Sequence, residues 1–132
     1  MAAKSIDHIV LNVSDVTQAI EFYRKLGFEI LDELAWKNGK AHCPAIKVGE
    51  TQKINIHASD TRATPKAVNP IAGSGDICFV WEGNVDDLIT HLKELGVTYE
   101  FGPISRRGAL GKGTSVYIRD PDGNLLEFLT YG

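Results

Sequence analysis

The chain has 132 residues, of which 43% are hydrophobic, and a formal net charge of −3. This size and composition fit an ordinary globular protein of one compact domain or two small modules. No basic run is longer than the two residues of Arg106-Arg107, which excludes the basic stripe of a nucleic-acid-binding surface. No apolar run approaches the ~20 residues of a membrane span, and Met1–Lys4 lacks the apolar core of a secretory signal.

The two cysteines, Cys43 and Cys78, are too few for the disulfide framework of a small secreted protein. We therefore predict that both are reduced, that both are small apolar core residues, and that the protein is cytoplasmic. Neither a nucleic acid nor a membrane is expected as a partner.

The first half of the chain predicts a β-α-β-β-β module. Ser5–Val13 alternates between two faces, as a half-buried strand does. A helix capped by Ser14 or Asp15 follows and ends at Gly27, a position that needs positive φ. Its apolar stripe consists of Val16, Ala19, Ile20, Tyr23 and Leu26. Three more strands are predicted at Phe28–Trp36, Lys40–Val48 and Lys53–His57, with Asn38-Gly39 as a two-residue hairpin turn.

Residues 59–75 contain two prolines and two glycines and show no sustained period. We predict that they form a linker between a first module, 1–58, and a second module, 76–132. The order of the first half then returns. Asp76–Trp81 predicts a strand, and a helix that ends at Gly96 follows it. Its apolar stripe consists of Val85, Leu88, Ile89, Leu92 and Leu95.

The rest of the second half predicts three strands, which are Val97–Phe101, Thr114–Arg119 and Asn124–Tyr131. Pro103–Gly113 is expected to be a loop, and Asp120–Gly123 a turn by its residue types. The fold class is therefore α+β, with two βαβββ modules. Because a small sheet alone is marginally stable, we expect the two curved mixed sheets to pack together and form a shared cup.

Two stretches carry motifs that resemble those of a known family. Val13-Ser14-Asp15 followed by Phe22–Phe28 has the form V-x-D…FY…LGF, and Asp120–Glu127 has the form DPDGN-x-x-E. They resemble the start and the close of modules in the vicinal oxygen chelate superfamily, which includes glyoxalase I, fosfomycin- and bleomycin-resistance proteins and extradiol dioxygenases. Lys53–His57 and the basic glycine loop are similar to the glyoxalase-domain-containing, virulence-protein-like branch.

The resemblance implies a divalent metal ion held by the first and last strands of each module. The corresponding positions are His8, Asn55, Asp76 and Glu127, and His57 follows two residues after Asn55. We expect His8, Asp76, Glu127 and His57 to bind the metal, while it stays open which of Asn55 and His57 faces the site. One imidazole and two carboxylates suit Zn, Ni, Mn, Fe or Mg. Glu127 and Asn55 are the candidate catalytic residues, the carboxylate moving a proton beside a polarised oxygen.

Plainer interpretations stand beside these assignments. His8 could be a partly buried strand histidine, Asp76 the end of the linker, and His57 a hydrogen-bonding residue at a strand end. Glu127 is harder to explain in this way, because an unpaired carboxylate on an apolar strand is costly to bury.

Basic and aromatic residues supply candidates for substrate binding. Arg106, Arg107 and Lys112 lie in the predicted loop, which could cover the cup as a lid and hold an anionic substrate, or could be an ordinary solvated loop. The remaining candidates are Trp36, His42 and Tyr117. Core filling is the alternative for Trp36 and Trp81. Arg119 is expected to anchor the following turn through Asp120 or Asp122.

The expected function is that of a metal-dependent, glyoxalase-like lyase or isomerase acting on a small oxygenated metabolite. Asp76 stands where a second histidine is common, which argues against an extradiol dioxygenase and a fosfomycin-type thiol transferase. A non-catalytic drug-binding resistance protein is the main alternative, with Trp36, Trp81, Phe101 and Tyr117 lining its cup. The resemblance also implies a homodimer, in which the cup forms within one chain or across two.

Overall fold

The computed structural model describes all 132 residues, Met1–Gly132, and the chain divides into two compact units, Met1–Gly73 and Ser74–Gly132. Each unit contains one four-stranded mixed sheet, and the chain has eight strands and three helices in all. The predicted α+β fold of two modules is confirmed. Residues 59–75, the predicted linker, contain no helix or strand. The packing of the two sheets into a shared cup stays a prediction. No helix is long and apolar enough to cross a membrane.

The first unit contains a sheet with the strand order β1-β4-β3-β2. Its elements are β1 (His8–Val13), α1 (Val16–Lys25), β2 (Ile30–Leu31), α2 (Glu33–Lys37), β3 (Ala45–Val48) and β4 (Gln52–Ala58). The predicted stripe of α1 is confirmed, since Ala19, Ile20 and Tyr23 are buried. Of the two candidate caps, Asp15 accepts a hydrogen bond at 3.0 Å from the backbone N–H of Gln18. β1 runs parallel to β4 and β3 antiparallel to it.

The long strand predicted at Phe28–Trp36 is wrong, because only β2 pairs before the chain turns into α2. Asp32 takes a left-handed conformation with φ 60°, which ends the strand. Glu33 then forms an i,i+4 ion pair with Lys37, which favours a helical turn, and a second ion pair with Arg24 of α1. The predicted hairpin at Asn38-Gly39 is the end of this helix instead, and the predicted strand 40–48 pairs only along β3.

The second unit contains a sheet with the strand order β5-β8-β7-β6. Its elements are β5 (Asp76–Val80), α3 (Val85–Glu94), β6 (Phe101–Gly108), β7 (Gly111–Arg119) and β8 (Leu125–Thr130). Leu88 and Leu92 of the predicted stripe are buried on α3. Alternation along the strands directs a second apolar set into the core. It consists of Phe79, Val116, Ile118, Leu126 and Phe128.

The prediction of a strand at Val97–Phe101 and a loop at Pro103–Gly113 is wrong. This stretch is the hairpin β6–β7, in which Arg106 pairs with Gly113 and Arg107 with Lys112. The sequence of β6 is rich in glycine and basic residues. Because its side chains do not alternate between polar and apolar, the pattern does not predict a strand. The basic residues therefore lie on paired strands and not on a flexible lid.

The motif Asp120–Asn124 is a structural clamp. Asp120 Oδ1 accepts hydrogen bonds from the backbone N–H groups of Asp122 and Asn124, both at 2.9 Å, and Oδ2 accepts one from Asn124 Nδ2 at 2.8 Å. Asn124 Oδ1 in turn accepts from the backbone N–H of Gly75 at 2.7 Å. The turn thus ties the start of β5 to the start of β8.

Arg119 anchors this turn by a different route from the one predicted. It donates to the carbonyl oxygen of Gly123 at 3.1 Å and pairs with Glu100, with 3.1 Å between Nη2 and Oε2. The expected contacts with Asp120 and Asp122 are therefore replaced by a backbone carbonyl and a carboxylate on the neighbouring segment.

Gly102 lies where the β6–β7 pairing shifts register, and we expect its replacement by alanine to destabilise the second unit. Its φ is 109°, and an added Cβ would lie 2.5 Å from the carbonyl oxygen of Ser115. Strained backbone and a backbone clash together should cost roughly 2–4 kcal/mol in the free energy of unfolding. Urea unfolding measures this. The control is Gly49→Ala, at φ 59° in open space, and an equal loss in both variants would contradict the clash.

Candidate functional site

The face of the second sheet that lies opposite α3 carries a polar cluster around Glu127. Alternation along β8 places the two neighbours of Glu127 in the core and the carboxylate on the other face. Glu127 Oε2 accepts a hydrogen bond from the buried Ser115 hydroxyl at 2.6 Å. In the strand register, Cys78 lies beside Glu127 on one side and Tyr117 on the other. This environment supplies the partner that a carboxylate on an apolar strand requires.

Asp76 lies on the same face as Glu127, two residues before Cys78 on β5, and is exposed. Ser115 and Cys78 are site residues that the sequence analysis missed. Cys78 could have been found, because it follows Asp76 at the two-residue spacing of one strand face. Ser115 could not, because its contact with Glu127 depends on the register between β7 and β8. The prediction of two core cysteines is also wrong, since Cys78 is exposed and Cys43 half-buried.

The Cys78 thiol is held in its protonated form. Partial loss of solvent around the sulphur, then the charge and hydrogen bonding of Glu127, and then the charge of Asp76 raise the pKa of Cys78 to about 11. Because the thiolate is the reactive species, this thiol should react slowly near neutral pH.

We expect the Glu127→Gln variant to alkylate faster at Cys78 than the parent chain. Removing the negative charge lowers the pKa of the thiol and so raises the thiolate fraction at any pH below that value. Iodoacetamide labelling followed by mass spectrometry, in the Cys43→Ser background with a chelator present, measures the rate between pH 7 and 10. An unchanged rate would show that the carboxylate does not act on this thiol.

A groove of about 320 Å³ opens on this same face of the second unit. It is lined by Glu100, Phe101, Arg106, Tyr117, Arg119 and Leu125. Tyr117 joins the groove to the polar cluster. It lines the groove, and in the strand register it lies opposite Glu127 of the cluster. The predicted substrate-binding residues Arg106 and Tyr117 are thus brought together within one unit.

The other predicted substrate-binding residues lie elsewhere. Arg107 and Lys112 pair with each other one position along from Arg106, so alternation directs them to the opposite face of the hairpin. Trp36 is half-buried on α2 of the first unit, and His42 is exposed between α2 and β3. Trp81 is half-buried and packs against Phe128, with ring centroids 6.3 Å apart.

The first sheet presents His8, Asn55 and His57 on its face opposite α1. His8 is on β1, which pairs with β4. In this register the side chains of His8, Asn55 and His57 point to the same face of the sheet. Asn55 Oδ1 is buried and has no hydrogen-bond partner. Burial, followed by the charge of nearby His42, lowers the pKa of His57. His57 is therefore neutral near pH 7, which is the form that binds metals.

The predicted donor set fits a divalent metal ion in two respects. His8 Nδ1 lies 2.8 Å from Asp7 Oδ1, the kind of carboxylate partner that orients a metal-binding histidine. The unpartnered Asn55 oxygen is an acceptor that lacks a donor or a cation. The structure contains no group of three or more His, Cys, Asp or Glu side chains placed to hold a metal ion, so the predicted ligand set stays a prediction.

These motifs and this fold belong to a known family. A sequence profile of the Glyoxalase/Bleomycin resistance protein/Dioxygenase superfamily matches residues 5–128, and the chain is a member of that superfamily. Virulence protein STM3117 of Salmonella typhimurium is 39% identical over 132 residues, which cover 99% of this chain and 87% of that protein. Glyoxalase domain-containing protein RDO1 of Mycosarcoma maydis is 37% identical, over 99% of this chain and 70% of that protein.

More distant relatives carry enzymatic names. Metallothiol transferase FosB of Shouchella clausii is 29% identical over 127 residues, which cover 95% of this chain and 79% of that protein. Among solved structures, that of the Salmonella virulence protein matches with a TM-score of 0.89 at 38% identity and covers all of both chains. Lactoylglutathione lyase from Agrobacterium tumefaciens matches with a TM-score of 0.72 at 27% identity, over 99% of this chain and 96% of that one.

Proposed function

We propose that this chain is a metal-dependent, glyoxalase-like lyase or isomerase that acts on a small oxygenated metabolite. The observation that carries the proposal is the Glu127 carboxylate, held by Ser115 at 2.6 Å on the open face of a sheet beside a groove. The likeness to a lactoylglutathione lyase supports the class of reaction. Zn, Ni, Mn, Fe and Mg are the candidate ions.

The donors in this proposal are His8, Asp76, Glu127 and His57, with Asn55 as a further oxygen ligand. A bound divalent ion would supply Lewis acidity toward vicinal oxygens of the substrate. Glu127 accepts the Ser115 hydrogen bond on Oε2, and its carboxylate would bind the ion or take a proton from an adjacent carbon. Asp7 orients the His8 ring. Asn55 adds a neutral amide oxygen, which cannot act as the base because that role needs a carboxylate. Glu127 is therefore the base.

The experiment is an assay of the purified protein against a panel of small compounds with vicinal oxygens, including α-hydroxy and α-keto carbonyl compounds and hemithioacetals. We expect turnover that a chelator abolishes and that an added divalent ion restores. Glu127→Gln should abolish turnover under the same conditions, whereas Glu94→Gln, on the exposed face of α3, should not. Turnover that is indifferent to chelation would overturn the metal-dependent reading.

A non-catalytic small-molecule binding protein is the second candidate function. It is favoured by the aromatic lining of the groove, where Phe101 is 50% exposed and its ring lies 6.1 Å from that of Tyr117. Binding of a drug-like compound that survives chelation, with no turnover of any panel compound, would support this candidate. A thiol transferase, suggested by the likeness to the metallothiol transferase, is opposed by Asp76 at the second-histidine position.

We further propose that the protein is a homodimer, as the family resemblance implies. Apolar side chains are exposed on edge strands of both sheets, Val10 at 44% on β1 and Val80 at 67% on β5. Multi-angle light scattering at micromolar concentration should give twice the chain's mass. Val80→Asp should shift the distribution toward the single chain, and a parent protein that elutes as a monomer would contradict the proposal.

A further inference from the structure

Arg106 is a positioned cation without an ionic partner. It lies on the open face of β6 and no carboxylate lies within ion-pair distance of it, whereas Arg119 in the same groove is neutralised by Glu100 at 3.1 Å. The lining of the groove therefore carries one uncompensated positive charge. Glu100, the acidic residue of that lining, is already paired and does not oppose an incoming anion.

The guanidinium of Arg106 is held in place by two hydrogen bonds and two cation–π contacts. Nε donates to Tyr117 Oη at 3.0 Å, and Nη1 donates to the carbonyl oxygen of Ser105 at 3.2 Å. The central carbon lies 5.9 Å from the ring centroid of Phe101 and 5.8 Å from that of Tyr117. Such cation–π contacts reduce the freedom of an otherwise long and mobile side chain.

The number of N–H donors that Arg106 has not yet used shows which ligands it can still bind. A guanidinium has five N–H donors, and two of them are used by Tyr117 and Ser105. One on Nη1 and both on Nη2 remain, which is the end that takes a carboxylate in a two-bond fork. A phosphate or phosphonate would leave oxygens unpaired here, since Arg106 is the one unpaired cation in the groove lining.

Apart from the Arg119–Glu100 ion pair, the remaining lining of the groove is mostly apolar. Phe101 is half exposed, and Tyr117 and Leu125 continue the surface toward the register position of Glu127. Exposed aromatic rings of this kind favour contact with a planar apolar group. A ligand that binds its carboxylate at Arg106 would lay its body over these side chains and direct its far end to the carboxylate cluster.

We infer that the groove of the second unit binds a small monocarboxylate with a planar aryl or unsaturated body, recognised by Arg106 and oriented by Tyr117. The inference rests on the proposed function in taking the face of Glu127 as the working face, but it needs no metal ion. Arg106 is the specificity-determining residue, and Tyr117 positions it through the hydroxyl.

The test is binding of benzoate to the full chain with a chelator present, followed by calorimetry and by ¹H–¹⁵N chemical-shift mapping. We expect benzoate to bind and to shift the signals of residues 101, 106, 117 and 125. Arg106→Gln should weaken binding by at least ~10-fold, because it removes a charge-assisted fork. Tyr117→Phe should weaken it by about 3-fold, because the ring remains and the hydroxyl is lost. Arg107→Gln, on the opposite face, should change it by less than about 2-fold.

Several results would overturn the inference. These are no binding of benzoate, equal affinity of the Arg106→Gln variant, acetate binding as tightly as benzoate, and phenylphosphonate binding more tightly. Because a chelator is present throughout, failure here leaves the metal-dependent function untouched. Loss of metal binding in a separate assay would in turn leave this carboxylate subsite standing.

Discussion

The Glu127→Gln variant is expected to lose the bound divalent metal ion, with an affinity at least ~100-fold below that of the parent chain. Outer-shell losses typically cost 10–100-fold, and removal of a charged ligand should exceed that range. Glutamine keeps the size of the side chain and can still accept from Ser115, so the fold should persist. Metal content after native purification, and titration with Zn²⁺ or Mn²⁺ by calorimetry, measure the effect.

A graded series distinguishes a metal site from a general loss of structure. His8→Ala should lose the ion as Glu127→Gln does, since both are proposed ligands. Asp7→Asn, which alters only the partner of His8 Nδ1, should weaken binding by roughly 10-fold. Glu94→Gln, at an exposed position on α3, should bind as the parent does. Equal metal affinity across all four variants would contradict the proposed ligand set.

Asn124→Ala is expected to lower the free energy of unfolding by roughly 3 kcal/mol, because it removes a hydrogen bond from the buried Asp120 carboxylate and the acceptor of the Gly75 N–H. Asn124 is fully buried and bonds Asp120 at 2.8 Å and Gly75 at 2.7 Å. Urea unfolding followed by circular dichroism should show a midpoint lowered by about 1–2 M, with little change in the slope.

Two further variants test whether the loss of stability in Asn124→Ala comes from the hydrogen-bonded turn Asp120–Asn124. Asn69→Ala removes an exposed asparagine and should change stability by less than about 0.5 kcal/mol. Asn124→Asp places two carboxylates together, so it should be more destabilising at pH 7 than near pH 4, where one of the pair is protonated. If Asn124→Ala unfolds at the parent's midpoint, the DPDGN motif is not the structural clamp described above.

The sequence predicted those elements that carry a strong period. Both long helices, the capping of α1 at Ser14 or Asp15 and the helix ends at Gly27 and Gly96 follow from apolar spacing and terminal residues. The strands β1, β4, β5 and β8 follow in the same way, because each has a buried apolar face.

The errors fall where local chemistry is ambiguous. Residues 28–36 are apolar enough for a strand, yet Asp32 adopts a left-handed conformation and Glu33 pairs across a helical turn. Asn38-Gly39 suits a hairpin and a helix end equally well. In β6, the strand is held by pairing with β7 rather than by its own pattern, so no local signal marks it.

The candidate metal ligands were predicted from their positions in the family resemblance, and not from contacts between their side chains. The resemblance assigned Asp76 and Glu127 to one site, and in the structure both residues lie on one face of the second sheet. Contacts that depend on register, such as Ser115 with Glu127 and Arg106 with Tyr117, could not be derived from spacing along the chain. The basic residues were predicted as one set, and pairing in the hairpin separates Arg106 from Arg107 and Lys112.

The proposed function depends on whether one ion takes an imidazole from the first unit and a carboxylate from the second. Anomalous diffraction at the zinc edge, from crystals grown with Zn²⁺, tests this directly. We predict a single strong peak with His8 Nε2 and a Glu127 oxygen both at about 2.0–2.2 Å from the ion. Peaks that bind only one of the two residues, or no peak at either, would contradict the account.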